Sequence, residues 1–277
     1  MSNSAVVPSS LTRPVPSHRR WNRLTKPASV VAIISGWAFA WWAVVAVTGV
    51  SRDFLPDPLE VMKRAIVLIY QPVGAGALMT HVVASLGRLL GGFGLAVVVG
   101  VPLGLLMGSV RTINWFVTPI FELFRYVPPI AWAPFAMLWF GAGYEAQMYV
   151  IFTAAFPPIL INTFRGMQLI DRRLIAAAKT LGAGPFVMIR EVALPSALPL
   201  IVAGLQIGLA AGWMALIAAE IVAGTGSRDG LGYLILQGQQ QLQADLTIAA
   251  MVIIGLLGAA INFAVQYVER RFITWRD

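Results

Sequence analysis

Three ionisable residues interrupt long apolar stretches of the chain: Arg88, Arg125 and Glu220. Charged side chains are costly in hydrocarbon, so these are the first candidates for a functional site. Arg125 lies 14 residues beyond Arg111, about 21 Å along a helix, which predicts a position in the outer half of a membrane. Arg88 and Arg125 would then attract an anion in an outer vestibule that Glu220 tunes. The alternatives are snorkelling and internal pairing, since Glu122 is three residues before Arg125.

A second polar segment, residues 171–184, predicts a short helix between two apolar stretches. Asp171 can accept hydrogen bonds from free N–H groups at the helix start, and Gly182 stands where helices commonly end in a left-handed turn. Small alanines would let this helix seat in a groove, and basic residues would keep it hydrated. The predicted contact residues are Asp171, Arg172, Arg173, Ala176, Ala177, Ala178, Lys179 and Gly182. The alternative is an interfacial connector whose bases follow the positive-inside rule.

Residue patterns that support catalysis or metal binding do not occur in the sequence. A nucleotide-binding Walker A loop needs a glycine before its Lys-Ser/Thr pair, and Lys179-Thr180 follows Ala178 instead. There is no cysteine, and His18 and His81 are too far apart for a histidine metal cluster. We therefore expect no catalytic site, cofactor or metal on this chain, and assign any ATP hydrolysis to another chain.

The composition is that of a membrane protein. Hydrophobic residues make up 58% and charged residues 12% of the chain, against about 45–50% and 25% in soluble domains. Six apolar stretches are long enough to cross a bilayer as helices. The predicted spans are residues 30–50, 82–107, 113–137, 148–164, 198–223 and 246–268. Pro128-Pro129 interrupts the third span and should kink or end its helix.

The basic residues predict the orientation of these spans. Fourteen of the 20 lysines and arginines fall on one side and four on the other, and the richer side is cytoplasmic. Both termini are then cytoplasmic, and the net charge of +8 reflects this bias rather than nucleic-acid binding. Residues 1–29 are predicted to be a disordered basic tail. Residues 30–277 are predicted to be a transmembrane domain with a cytoplasmic loop at 165–197.

Two series of glycines predict close helix packing. Four-residue spacing puts each series on one helix face, where another backbone can approach closely. The partner helix belongs either to the same subunit or to a second copy, and frequent glycine in membrane helices is the plainer alternative. The two series are Gly100, Gly104, Gly108 and Gly204, Gly208, Gly212.

Two further segments are predicted outside the hydrocarbon. Residues 58–70 have the pattern of a short amphipathic helix at the outer surface. Residues 224–245 are rich in Gly and Gln and too polar to span. We expect them to form an outer loop with a short helix or a re-entrant piece.

The polar segment resembles the cytoplasmic coupling loop of ATP-binding-cassette importer permeases. That family carries Glu-Ala-Ala, a glycine four residues after the last alanine, and later an aliphatic residue before Leu-Pro. The matching residues are Ala177, Ala178, Gly182, Val192, Leu194 and Pro195. Ala176 stands at the position of the family's glutamate. Stretches at 85–88, 125–132, 219–220 and 230–233 are similar to the taurine, sulfonate, nitrate and bicarbonate branch, and the resemblance covers roughly residues 55–272.

The resemblance implies an all-α membrane protein with the type I ABC importer permease fold, in the bacterial inner membrane. It would be the permease subunit of an ATP-driven, binding-protein-dependent importer for a small anion such as taurine, an alkanesulfonate, nitrate or bicarbonate. The implied partners are two ATPase subunits that carry ATP and Mg, a second permease copy as a homodimer, a periplasmic or lipid-anchored binding protein, and lipid.

The alternative function is an ion-coupled secondary transporter that works without an ATPase. Such transporters often contain inverted repeats with broken helices. Pro128-Pro129 offers one break, and the sequence shows no matching break in the other half. A co-purifying ATPase would favour the importer, and uptake that survives ATP depletion would favour the secondary transporter.

Overall fold

The computed structural model describes residues 27–51, 54–222 and 229–272, and they divide into two units at Val50/Ser51. The first unit contains one described helix, α1 (Pro27–Thr48), which corresponds to the predicted span 30–50. Most of its side chains are exposed and apolar, as expected of a helix surrounded by lipid. Residues 1–26 of the predicted tail lie outside the described residues.

The second unit is built from helices of very different lengths. Three long helices correspond to predicted spans, with ends two to four residues outside the predicted ones in most cases: α3 (Leu78–Ser109), α6 (Tyr144–Gln168) and α11 (Ala244–Phe272). The fifth predicted span forms α9 (Leu194–Val222). Short helices connect them: α2 (Pro58–Tyr70), α4 (Arg111–Arg125), α5 (Ala133–Phe140), α7 (Arg172–Thr180), α8 (Pro185–Val187) and α10 (Leu231–Gln240).

Five helical segments among the described residues are long and apolar enough to cross a membrane. They are Val31–Thr48, Leu78–Ser109, Tyr144–Gln168, Pro185–Val222 and Ala244–Tyr267. The fourth of these runs from α8 through a π-helical stretch, Met188–Ala193, into α9. The third predicted span, residues 113–137, does not form a single continuous helix.

That third span is divided because its prolines interrupt the backbone hydrogen bonds. Helix α4 ends at Arg125, a 3-10 turn covers Pro129–Trp132, and α5 follows. Pro128 and Pro129 lack N–H donors, and proline also disfavours helical geometry in the residue before it. Other prolines, such as Pro102 in α3, are accommodated inside helices. The predicted interruption is therefore confirmed, as two short helices separated by a turn.

Helix α6 is the centre of the second unit, with α3 on one side and α9 on the other. A Cβ atom added to Gly104 of α3 would lie 2.7 Å from Thr163 Cβ and 3.0 Å from the carbonyl oxygen of Leu160. A Cβ atom on Gly208 of α9 would lie 3.0 Å from the carbonyl oxygen of Ala155. The remaining members of both series, Gly100, Gly108, Gly204 and Gly212, also face residues of α6. Both series thus pack against one helix of the same chain.

The two segments predicted outside the hydrocarbon are helical. Helix α2 follows the capping box of Asp57 and Glu60, and it packs against α11. Helix α10 lies within the predicted outer segment and packs against α9 and α11. We call the end of the unit that holds α10 the α10 end, and the end that holds α7 the α7 end.

We expect the α7 end to be cytoplasmic and the α10 end to face outside, because the basic residues are distributed that way. A reporter active only in the cytosol should be active when fused after Arg173 in α7. The same reporter should be inactive after Leu242, an exposed residue between α10 and α11. A reporter active only outside serves as the control and should give the opposite pair of results. If the cytosolic reporter were active after Leu242 and inactive after Arg173, the predicted orientation would be wrong.

Candidate functional site

A buried cluster of polar side chains lies at the α10 end and begins on α3. His81, Ser85 and Arg88 are four and three residues apart, so they share one face of this helix. All three are buried, with Arg88 only 2% exposed. Their polar groups therefore need partners within the protein.

Glu220, near the end of α9, is the central partner of this cluster. Its Oε1 atom accepts hydrogen bonds from Ser85 Oγ at 2.6 Å and from Arg88 Nη1 at 2.9 Å. Its Oε2 atom accepts a hydrogen bond from the backbone N–H of Gly232 at 2.8 Å. Glu220 is 1% exposed, so these bonds replace the water that its carboxylate would otherwise bind.

The start of α10 completes the cluster. Asp229 forms a second ion pair with Arg88 through Nη2. Gly230 has a φ of +109°, a conformation that favours glycine, and a Cβ atom there would lie 2.7 Å from Glu220 Cδ. A Cβ atom on Gly232 would lie 2.7 Å from the Ile217 carbonyl oxygen. Glycine is needed at both positions for this loop to approach the ion pair.

His81 ties the same loop to the turn before α3. Its Nε2 atom lies 2.8 Å from the carbonyl oxygen of Val73 and 3.1 Å from that of Gly76, so this nitrogen carries the proton. Nδ1 then accepts a hydrogen bond from the N–H of Gly230 at 3.1 Å. The ring also stacks on Tyr233 of α10. The histidine therefore bridges two backbone segments.

These contacts change the interpretation of Arg88 and Glu220. The sequence predicted that both face an open vestibule, whereas they are buried and paired with each other, which was the alternative. Sequence reasoning did not select His81, Ser85 or Asp229. The spacing of 81, 85 and 88 on one helix face was the available signal for the first two. The hydrogen bonds and ion pairs of this cluster join α3 and α9 to α10 and to Asp229, which precedes it.

Arg125 lies apart from this cluster, in a cavity of roughly 180 Å³ between α4 and the last turns of α6. Its Nε atom donates to Glu122 Oε2 at 2.7 Å, and Nη2 also donates to the Tyr126 hydroxyl at 3.2 Å. The other polar side chains that line this cavity include Arg165 and Gln168. The pairing of Arg125 with Glu122, which was the alternative to a role in attracting an anion, is present.

The packing of α4 on α6 gives the position of Arg125 along the fold. The neighbouring Phe124 packs on Phe156, which is 12 residues from each end of α6. The end of α4 therefore lies level with the middle of α6, and the Arg125 side chain shares its cavity with the α7 end of that helix. A position of Arg125 in the outer half of the membrane stays a prediction. Arg88, Arg125 and Glu220 do not form one vestibule.

The predicted polar helix is present as α7. Asp171 caps it by accepting a hydrogen bond from the backbone N–H of Arg173 at 2.8 Å, and Gly182 has a φ of +79° just beyond its end. Ile175 packs against a buried cluster at the ends of α6 and α9 that includes Ile170 and Ala197. The outward side remains open: α7 contains no buried residue.

The surface around α7 is partly apolar as well as basic. Leu181 is 88% exposed and Phe186 is 73% exposed. Leu169 and Leu174 are also exposed. Exposed apolar residues grouped around a short helix are typical of protein contact surfaces. A helix anchored on one side and open on the other can receive a partner protein.

The fold is that of a multi-pass α-helical membrane protein with an exposed helix between two spanning segments. Residues 100–274 match the family model described as the binding-protein-dependent transport system inner membrane component. The chain belongs to that family, and it is a permease subunit of an ABC importer in the inner membrane.

Similar proteins agree with this family. An ABC transporter permease protein of Methanocaldococcus jannaschii is 36% identical over 92% of this chain and 91% of its own length. The taurine transport system permease protein TauC of Escherichia coli is 34% identical over 85% of each chain. The bicarbonate transport system permease protein CmpB of Synechococcus elongatus is 33% identical over 83% of this chain and 84% of its own.

A solved structure supports the fold. A chain of the MetNI methionine ABC transporter, in an inward-facing conformation, superposes with a TM-score of 0.60 at 25% identity. The likeness covers 70% of this chain and 95% of that chain.

The described residues contain no group of acidic, histidine or cysteine side chains that could hold a metal ion.

Proposed function

We propose that this permease works in an ATP-driven importer of a small anion and that α7 receives the force of ATP binding from a partner ATPase. The single observation that carries this proposal is the geometry of α7. It is capped, anchored by Ile175 beneath α6 and α9, and exposed on its outward side. A displacement of α7 would therefore reach both spanning helices directly.

The assembly that fits this role contains two ATPase subunits, each with ATP and Mg, and a second permease copy as a homodimer. A periplasmic or lipid-anchored binding protein would deliver substrate at the α10 end, with both termini of the permease in the cytosol. ATP binding would draw the two α7 helices together and open the permease outward. The absence of a Walker A loop in the sequence supports a separate ATPase.

The proposed substrate class rests on the names of similar proteins and on the anionic group that the named substrates share. Relatives are named as permeases for taurine, aliphatic sulfonates and bicarbonate. Taurine carries a sulfonate, and the other two are anions. We infer that this permease transports a small anion of the same kind: taurine, an alkanesulfonate, nitrate or bicarbonate.

Replacing Ala177 by Asp should separate the ATPase from the permease without unfolding it. Ala177 is exposed on α7, so the new carboxylate is hydrated in the free permease but is desolvated and unpaired when a partner covers it. We expect ATPase retention and ATP-dependent uptake in reconstituted vesicles to fall about tenfold or more. Gly182→Val should act in the same direction, because its φ of +79° disfavours a β-branched residue and the end of α7 would shift.

Gly184→Val is the matched control for Gly182→Val. Gly184 has a φ of −71°, and a Cβ atom added there meets nothing within 4 Å. The same substitution two residues away therefore introduces neither strain nor a clash. If Ala177→Asp and Gly182→Val both retain the ATPase and support uptake as well as Gly184→Val does, α7 is only a connector.

A further inference from the structure

The cavity between α4 and α6 combines an excess of positive charge with an apolar wall. Two arginines, Arg125 and Arg165, face a single carboxylate, Glu122. The apolar side chains that line it include Phe121 and Leu160, both buried. A cavity with this lining is suited to a small anion with a short apolar part.

The arginines have unused donors toward this cavity. Glu122 and Tyr126 engage the Nε and Nη2 atoms of Arg125, and Nη1 has no hydrogen-bond partner among the described residues. Neither Arg165 nor Gln168 is hydrogen-bonded to a side chain that the structure describes. Arginine binds carboxylate and sulfonate groups well because its N–H groups form a planar fork.

Cavity size restricts the ligand to a few heavy atoms. Its volume is roughly 180 Å³, below the about 300–1,000 Å³ of pockets that hold drug-sized molecules. The cavity is open to small molecules on its polar side, because Arg125, Arg165 and Gln168 are exposed, whereas Phe121 and Leu160 on its apolar wall are buried.

We propose that this cavity binds the transported anion on the α7 side of the permease, with Arg165 and Arg125 as its cationic partners. The inference rests on the proposed function and deepens it by placing a substrate site. Arg165 is in the last turn of α6, six residues before Asp171, which caps α7. The bound anion is therefore held by the helix that leads directly into the coupling surface.

The test measures binding directly and needs no ATP. The full-length permease in phosphatidylcholine nanodiscs is titrated calorimetrically with ethanesulfonate, nitrate and bicarbonate. We expect at least one of the three to bind, and Arg165→Gln and Arg125→Gln to weaken that binding about tenfold or more, as for loss of a hydrogen bond to a charged group. Arg111→Gln is the control, since Arg111 is an exposed arginine of α4 that does not line the cavity.

Two results would overturn the site. One is that none of the three anions binds the wild-type permease. The other is that both cavity variants bind as tightly as Arg111→Gln. An anionic lipid headgroup has the same chemistry as the ligand, so the titration is repeated in discs that contain phosphatidylglycerol. If Arg165→Gln changes only the amount of retained phosphatidylglycerol, measured by mass spectrometry, the cavity is a lipid site and the proposal fails.

Failure of this site is distinguishable from failure of the importer mechanism. ATP-driven uptake that depends on α7, together with unchanged anion binding by Arg165→Gln, would reject the site alone. Anion binding that depends on Arg165, together with uptake that ignores the α7 variants, would reject the coupling role alone.

Discussion

Arg88→Met should lower the stability of the permease by about 3–5 kcal/mol, because it leaves a buried carboxylate without its cation. Glu220 is 1% exposed, and its Oε1 atom lies 2.9 Å from Arg88 Nη1. Methionine fills much of the arginine volume, so the loss is mainly electrostatic. Thermal unfolding in nanodiscs, followed by circular dichroism, measures it.

Two further variants separate the ion pair from simple packing. The double variant Arg88→Met, Glu220→Leu should lose less than the sum of the two single losses, because no carboxylate is then buried at position 220. Arg64→Met is the control: Arg64 pairs with Asp245 at 3.5 Å, and both side chains are partly exposed. That pair should contribute at most about 1 kcal/mol. If Arg88→Met and Arg64→Met were equally stable, the Arg88–Glu220 pair would be hydrated, and the predicted loss of stability would be wrong.

Gly104→Val should separate α3 from α6 and cost about 1–3 kcal/mol or more. Even its Cβ atom would lie 2.7 Å from Thr163 Cβ and 3.0 Å from the Leu160 carbonyl oxygen, which is a backbone atom of α6. We expect a lower unfolding temperature and poor recovery of folded permease from the membrane.

Gly94→Val is the matched control for this glycine. Gly94 lies in the same helix, and a Cβ atom there meets nothing within 4 Å. Since valine is also a better helix former than glycine, this variant should be as stable as the wild type or slightly more stable. If Gly104→Val and Gly94→Val unfold at the same temperature, the glycine series is not a packing surface.

Local features of the fold were predictable because they depend on neighbouring residues. The cap at Asp171, the left-handed Gly182 and the interruption at Pro128-Pro129 each follow from the chemistry of one or two residues. The four-residue glycine spacing also identified the correct helix faces. It could not identify the partner, because α3 and α9 meet α6 only in three dimensions.

The candidate sites were less predictable because they depend on contacts that are distant in sequence. Glu220 bonds to Ser85 and Arg88, which lie 135 and 132 positions away. Arg165 was assigned to a cytoplasmic loop on its sequence position, yet it shares a cavity with Arg125.

The glycine contacts on both sides of α6 have a mechanical consequence. Backbones that touch directly leave no layer of side chains to deform between them, so α3, α6 and α9 resist sliding and tilting independently. A force applied to α7 would therefore move α3, α6 and α9 together as one rigid block. Local repacking of side chains would not absorb it.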